Sequence, residues 1–265
     1  MTRQRAMIVR QGAVLGLSLC WACLAASAAT AQTPRVLLQA ERDAAAPSRP
    51  AFGDGAYAER RERMVRDQVA GEGVTDAAVL DAMRRVPRHR FVPHLDPLRA
   101  YRDAPQPIGH GQTISQPYIV GFMTERLGLD PDDRVLEVGT GSAYQAAILA
   151  EIVEDVVTLE IIAPLAERAA ERLATLGYTN VTVLHGDGYY GYPPRAPYDA
   201  IIVTAAASHV PPPLLEQLRP DGRMVIPVGQ MGWIQNLLLL EKNPEGEVSS
   251  RNLATVRFVP LTRGH

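Results

Sequence analysis

Cysteine is nearly absent from this chain of 265 residues, and its only two, Cys20 and Cys23, lie in the first 31. That segment carries three arginines, then an apolar stretch over residues 12–25, and ends in Ala29-Thr30-Ala31. This order is typical of a secretory signal peptide with an A-x-A cleavage site. We predict a signal peptide over residues 1–31, whose cleavage leaves a mature chain without thiols. Disulfides and thiolate metal sites are thereby excluded.

Long apolar runs and an excess of basic residues are also lacking. A membrane anchor is the alternative to a signal peptide, but the apolar stretch is shorter than the roughly 20 residues that a span needs, and Gly16 and Ser18 interrupt it. Neither cysteine follows the pattern of a lipoprotein site, so we expect no stable membrane anchor after cleavage.

The formal charge is −2, and the arginines between residues 60 and 102 alternate with acids, which is typical of a solvated helix face. We therefore expect no nucleic-acid partner.

The six histidines are scattered, and no pair has metal-ligand spacing on one helix, so we expect no metal. Residues 32–56 are rich in Ala, Pro, Gly and Arg, which predicts a flexible leader. The remaining residues, 57–265, are predicted to form one domain that begins with two helices. A proline-rich loop region over residues 89–117 precedes a helix from Tyr118 to about Leu129, and loops of that length are usually functional.

Apolar strands and helices alternate in the rest of the chain. The predicted strands are Arg134–Val138, Val156–Glu160, Val181–His185, Ala200–Thr204, Arg223–Val228, Leu237–Glu241 and Thr255–Val259. Helices are expected between the first five strands, and the continuous apolar runs indicate a sheet covered on both faces. The last two strands follow without a helix and predict an antiparallel edge. The fold class is therefore α/β, a Rossmann-like, doubly wound, mostly parallel sheet with an antiparallel edge and N-terminal helices.

The first of these strands ends in a glycine turn, Glu137-Val138-Gly139-Thr140-Gly141. The glycines let the backbone approach a ligand closely. A dinucleotide fingerprint needs a further glycine at position 144, where this chain has Tyr144. The acidic-x-Gly-x-Gly pattern favours an adenosylmethionine-dependent methyltransferase, while a structural tight turn is the alternative for the motif alone.

The next two strands also end in acidic residues. Glu160 lies 19 residues after Gly141, where a carboxylate can accept hydrogen bonds from both ribose hydroxyls. Asp187, in His185-Gly186-Asp187-Gly188, can accept from an adenine amino group. Each acid by itself is also consistent with a surface or turn residue. Together the three strand ends predict a nucleotide site.

The sequence resembles the protein-L-isoaspartate O-methyltransferase family from about Glu59 to Thr262. The segments that carry the resemblance are Val86–Arg88, Phe91–Val92, Pro107–Gly109, Gly111–Pro117, Val138–Ser142, Tyr144–Ala147, His185–Gly188, Tyr198–Ala206 and Val256–Leu261. Thr113–Pro117 is the most specific segment, because it belongs to this family's loop rather than to methyltransferases at large.

The resemblance implies that S-adenosylmethionine is the cofactor and that isoaspartyl carboxylates of damaged proteins and peptides are methylated. It makes Ser115 the active-site serine, which we expect to orient the carboxylate, because an ionised carboxylate needs no general base. The implied cofactor residues are Thr113, Ile114, Glu137, Gly139, Thr140, Gly141, Ser142, Glu160, Asp187, Gly188 and Thr262. The implied substrate residues are Thr204, Ala205, Ala206 and Val259.

Ala143 departs from the family pattern, which has glycine there. Because position 143 opens a helix, we expect ordinary helical geometry that accepts alanine, whereas a positive φ would cost about 1–2 kcal/mol.

The expected compartment conflicts with the cofactor, since adenosylmethionine is made in the cytosol and the signal peptide predicts export, to the periplasm. Three possibilities follow. The chain is an exported enzyme; it is an exported, noncatalytic peptide- or nucleotide-binding protein that retained the fold; or translation starts at Met7 or Met64 and gives a cytoplasmic enzyme.

Overall fold

The structure is a computed structural model that describes residues 33–40, 55–230 and 233–263. The predicted signal peptide and most of the predicted leader lie outside these residues. The described residues all belong to the unit Ala31–His265. No described helix is long and apolar enough to cross a membrane.

An eight-stranded sheet organises the described residues. In chain order the strands are β1 (Arg35–Leu38), β2 (Gln106–Gly109), β3 (Gln112–Ile114), β4 (Arg134–Val138), β5 (Asp155–Glu160), β6 (Val181–His185), β7 (Tyr198–Val203), β8 (Leu218–Val228), β9 (Gln235–Lys242) and β10 (Val248–Val256). The sheet order is β1-β6-β5-β4-β7-β8-β9-β10, with β2 and β3 forming a separate hairpin. Strands β4 to β8 are parallel, and β1, β9 and β10 are antiparallel to their neighbours. The predicted α/β, Rossmann-like fold is confirmed.

Helices cover the sheet. They are α1 (Gly55–Arg63), α2 (Ala77–Arg85), α3 (Pro97–Ala100), α4 (Pro117–Leu127), α5 (Tyr144–Ala150), α6 (Ala163–Thr175) and α7 (Pro212–Gln217). A π-helical turn, Met64–Val69, continues α1. The carboxylate of Asp76 accepts a hydrogen bond from the Val79 N–H at 3.0 Å and caps α2. The predicted N-terminal helices are therefore present.

Both faces of the sheet are buried, as the continuous apolar strands predicted. Neighbouring residues of one strand enter opposite cores: Val135 packs under α4, α5 and α6, whereas Leu136 packs with Leu214 and Leu218 on the other face. This division follows from the alternation of side chains along a strand. The strand order reverses between β4 and β7, and such a switch point leaves a crevice at the carboxyl ends of the strands.

Four local predictions are wrong. Residues 35–38 of the predicted flexible leader form β1, which pairs with β6. Only 3₁₀ turns, Gly188–Tyr190 and Pro193–Arg195, stand where a helix was expected between β6 and β7, because prolines crowd that segment. The last strand ends at Val256 and leaves residues 257–263 outside the sheet. Arg88 lies in the stretch that was expected to be a solvated face, yet it is fully buried.

Candidate active site

A cleft of about 720 Å³, including its open mouth, lies at the switch point. The carboxyl ends of β4 and β5, the loop before α4 and the segment after β10 form its walls. The predicted site residues that line it are Thr113, Ile114, Ser115, Glu137, Gly139, Thr140, Gly141, Ser142, Glu160, Gly188, Thr204, Ala205, Val259 and Thr262. Long-range folding thus brings most of the predicted set to one cavity of a size typical for small-molecule ligands.

The glycine turn after β4 requires its glycines. Gly139 and Gly141 have φ values of 101° and 52°, in the left-handed region that disfavours side chains. A Cβ on Gly139 would lie 2.5 Å from the Thr204 hydroxyl oxygen, which instead donates to the Gly139 carbonyl at 2.6 Å. The turn therefore packs closely against Thr204 and presents backbone without side chains at the cleft wall.

Glu160 ties the end of β5 to this turn. One carboxylate oxygen accepts from the Gly141 N–H at 2.8 Å, and the other accepts from the Ile162 N–H at 2.9 Å. Burial raises the pKa of Glu160, against the lowering effect of these backbone donors. The carboxylate is thus a structural part of the turn as well as a candidate ribose acceptor.

Glu137 lies under the cleft floor and is fully buried. The Thr158 hydroxyl donates to its Oε2 at 2.6 Å, but no described residue makes a hydrogen bond with Oε1. Burial raises the pKa of Glu137 to about 8, so the side chain is mostly protonated at neutral pH. A buried polar atom without a partner, at a cleft wall, fits a site that receives a polar ligand.

Ala143 has φ 71° and ψ 10°, so the expectation of ordinary helical geometry is wrong. Position 143 is the residue before α5 rather than its first residue. Its N–H donates to the Thr140 carbonyl at 2.7 Å, and its carbonyl accepts from the Ala147 N–H at 3.0 Å. This tight reversal forces the left-handed conformation, at a cost of about 1–2 kcal/mol for alanine.

Ser115 lies between β3 and α4, after the β2–β3 hairpin. It lines the cleft and also an adjoining groove, which Thr113, Thr204 and Val259 share with it. The groove is further lined by Pro105, Gln116, Ile119, Thr255, Val256, Arg257 and Phe258. The serine therefore stands where the two cavities meet.

The segment after β10 closes one side of the cleft. The Ala206 N–H donates to the Val259 carbonyl, and the Leu261 N–H donates to the Ala206 carbonyl, both at 2.8 Å. Val259 and Thr262 line the cleft as a result. Ala206, predicted to border the substrate, is buried behind this segment and does not line the cleft.

Asp187 also does not line the cleft, although its neighbour Gly188 does. Its Oδ1 accepts from the Tyr189 N–H at 3.0 Å, and its Oδ2 lies 3.7 Å from Arg263 Nε. Asp187 thus caps the turn that follows β6 and forms an ion pair with Arg263.

Ten further residues line the cleft that were not predicted individually as site residues, although several lie in the segments that carry the family resemblance. They are Gln112, Val120, Val138, Tyr144, Gln145, Leu159, Ile161, Ile162, Pro260 and Leu261. Most are sequence neighbours of predicted residues, and adjacency to a strand end is the signal that finds them. Among the described residues no group of acids, histidines or cysteines is arranged to hold a metal.

A doubly wound sheet with an acidic-x-Gly-x-Gly turn at its switch point, and a carboxylate at the end of the next strand, defines an adenosylmethionine-dependent methyltransferase of Rossmann-like fold. The bare backbone of the glycine turn, which lines the cleft, and the unpartnered Glu137 oxygen fit that cofactor. A family model for protein-L-isoaspartate(D-aspartate) O-methyltransferase matches residues 59–265, and the chain belongs to this family.

Relatives and solved structures agree with this assignment. A protein-L-isoaspartate O-methyltransferase 1 of Nitrosospira multiformis is 58% identical over 79% of this chain and 89% of its own length. A solved protein-L-isoaspartate O-methyltransferase is similar with TM-score 0.69 and 30% identity, over 76% of this chain and 65% of that chain. A putative one from Plasmodium falciparum, in complex with S-adenosyl-L-homocysteine, gives TM-score 0.68 and 25% identity, over 77% of this chain and 99% of that chain.

Proposed function

We propose that this chain is a protein-L-isoaspartate O-methyltransferase that uses S-adenosylmethionine to methylate isoaspartyl carboxylates of damaged proteins and peptides. The observation that carries the proposal is the position of Ser115, which lines both the cofactor cleft and the adjoining groove. A peptide carboxylate in the groove and a cofactor in the cleft would meet at this residue.

The glycine turn would hold the cofactor, with Glu160 as an acceptor for its ribose hydroxyls and Gly188 at its base. When bound, it supplies an electrophilic methyl group on its sulfonium. The substrate carboxylate is already ionised at neutral pH, so no residue needs to remove a proton. The Ser115 hydroxyl donates to one carboxylate oxygen and directs the other. Val259 lines both the cleft and the groove and Leu261 lines the cleft, and these apolar side chains help to exclude water, which strengthens the polar contacts.

The groove suits an extended peptide backbone and shows no selection for one amino-acid sequence. Its walls are the apolar side chains of Ile119 and Phe258, with Gln116 and Arg257 at the polar positions. An isoaspartyl lesion is a feature of the backbone, so we expect recognition largely through main-chain hydrogen bonds. This is consistent with a broad set of damaged protein targets.

The test is methyl transfer from adenosylmethionine to an isoaspartyl peptide and to the same peptide with normal aspartate. We expect only the first to be methylated. Ser115→Ala is expected to keep S-adenosylhomocysteine binding and to lose turnover, since only carboxylate orientation is removed. Equal methylation of both peptides would contradict the substrate assignment. Cofactor binding without transfer to either would favour the noncatalytic binding protein.

We also propose that residues 1–31 are a signal peptide and that the enzyme acts in the periplasm. The arginines, apolar stretch and A-x-A end of residues 1–31 support this. Mass spectrometry of the natural N-terminus is the measurement, and a chain that begins at Gln32 is expected. A chain that retains earlier residues would argue against cleavage and for a cytoplasmic enzyme.

A further inference from the structure

Arg88 is fully buried in the core beside the serine loop, which we define as residues 112–116. No ion pair with a carboxylate holds it among the described residues; its partners are backbone carbonyls and an aromatic ring. Burial lowers the pKa of Arg88, because the low-dielectric surroundings disfavour its charge. A buried cation without a carboxylate at ion-pair distance is costly, and an apolar side chain of similar volume often stabilises a core better. Its presence here therefore calls for a role beyond packing.

The contacts of Arg88 reach both walls of the active site. Its Nη2 donates to the Ser115 carbonyl at 2.6 Å, and its Nε donates to the Ala100 carbonyl at 2.7 Å. Its Cζ lies 4.8 Å from the centre of the Tyr144 ring, a cation–π distance. Tyr144 is the first residue of α5 and lines the cleft next to the glycine turn. One guanidinium thus connects the serine loop to α5, which we call the cofactor helix.

The hydrogen bond to Ser115 fixes more than one atom. A trans peptide is planar, so holding the Ser115 carbonyl sets the plane of the whole Ser115–Gln116 peptide. The neighbouring Gln116 is held as well, because its Nε2 donates to Asp103 at 2.9 Å. Hydrogen bonds consequently restrain the serine loop at both residues of this peptide. An in-line displacement depends on such restraint, because a misplacement of about 1 Å can cost on the order of 100-fold in rate.

We propose that Arg88 is a positioning residue for methyl transfer: its buried guanidinium sets the serine loop against the cofactor helix so that Ser115 aligns the carboxylate with the methyl group. This inference rests on the proposed function. Arg88 touches neither cleft nor groove, so it acts through Ser115 and Tyr144.

The experiment compares Arg88→Lys with Arg195→Lys. Lysine keeps the charge at position 88 but offers one donor group instead of the planar fork, so it cannot reproduce both carbonyl contacts. Arg195 is a matched control, since it is buried and its Nη2 pairs with Asp155 at 2.6 Å, away from the cleft lining. Turnover of an isoaspartyl peptide is measured per S-adenosylhomocysteine-binding site counted by calorimetry, with KM, kcat and the urea midpoint of each protein.

We expect Arg88→Lys to lower kcat on the order of 10- to 100-fold, with the Kd for S-adenosylhomocysteine changed less than about threefold. Arg195→Lys is expected to retain kcat per binding site even where its urea midpoint falls. An Arg88→Lys variant whose kcat stays within twofold of wild type overturns the proposal. A variant that has lost cofactor binding or cooperative unfolding also overturns it, because the role of Arg88 is then structural. A wild-type protein that does not methylate the isoaspartyl peptide refutes the proposed function instead.

Discussion

Replacing Glu160 by alanine separates its two roles, as a candidate cofactor ligand and as a support for the glycine turn. The carboxylate accepts from two backbone N–H groups, at 2.8 and 2.9 Å. Hydrogen bonds to a charged group are worth about 1.5–3 kcal/mol each. Loss of the contact with the ribose of a bound cofactor is expected to weaken binding by the energy of one such hydrogen bond. The Kd should then rise roughly 10- to 150-fold. The two orphaned N–H groups lie beside an open cleft where water can reach them, so we expect a loss of about 2 kcal/mol in unfolding free energy.

Calorimetry of S-adenosylhomocysteine binding, with urea unfolding of the same proteins, measures both effects. Glu160→Gln keeps one acceptor oxygen and the shape, so its Kd is expected between those of wild type and Glu160→Ala. Glu151→Ala is the control for general destabilisation, because Glu151 is buried and accepts from Arg85 at 2.6 Å but does not line the cleft. A folded Glu160→Ala protein that binds as tightly as wild type would refute the ligand role. An equal loss of affinity in Glu151→Ala would show that the effect is not specific.

Two further substitutions test the cofactor side of the site. Ala143→Gly relieves about 1–2 kcal/mol of left-handed strain. Against this, it removes about 0.8 kcal/mol of methyl burial, and the greater entropy of the unfolded chain costs about 0.4–1 kcal/mol. The free energy of unfolding measured in urea should therefore change by less than about 1 kcal/mol. Its Kd for S-adenosylhomocysteine is expected to change less than tenfold, and a larger gain would mean that alanine impairs the site. Glu137 keeps its proton in the folded state up to about pH 8, whereas the unfolded chain releases it near its ordinary pKa of about 4.3. As the pH rises between these two values, the wild-type protein should lose up to about 1.4 kcal/mol of stability per pH unit, whereas Glu137→Gln should not. If the urea midpoints of the two proteins changed in the same way from pH 5 to 8, the prediction would be contradicted.

The sequence by itself determined the fold class and the place of the site. Continuous apolar strands between helices predicted a parallel sheet covered on both faces, and parallel strands gather their carboxyl ends at one edge. That geometric rule brings Gly139, Gly141 and Glu160 together without any knowledge of side-chain contacts. Ser115 was found differently, from the resemblance of its loop to a family, since no periodicity marks a loop.

Only the tertiary structure decided which of the predicted residues face the cleft. Asp187 and Ala206 stand next to lining residues in the sequence, but a turn cap and a crossing backbone segment take them out of the lining. The left-handed Ala143 depends on how sharply the turn must enter α5. Arg88 looked like a residue of a solvated face, and its burial depends on Ala100, Ser115 and Tyr144, which come from separate elements. Sequence patterns report the preferences of neighbouring residues, whereas these four outcomes are set by contacts between segments far apart in the chain.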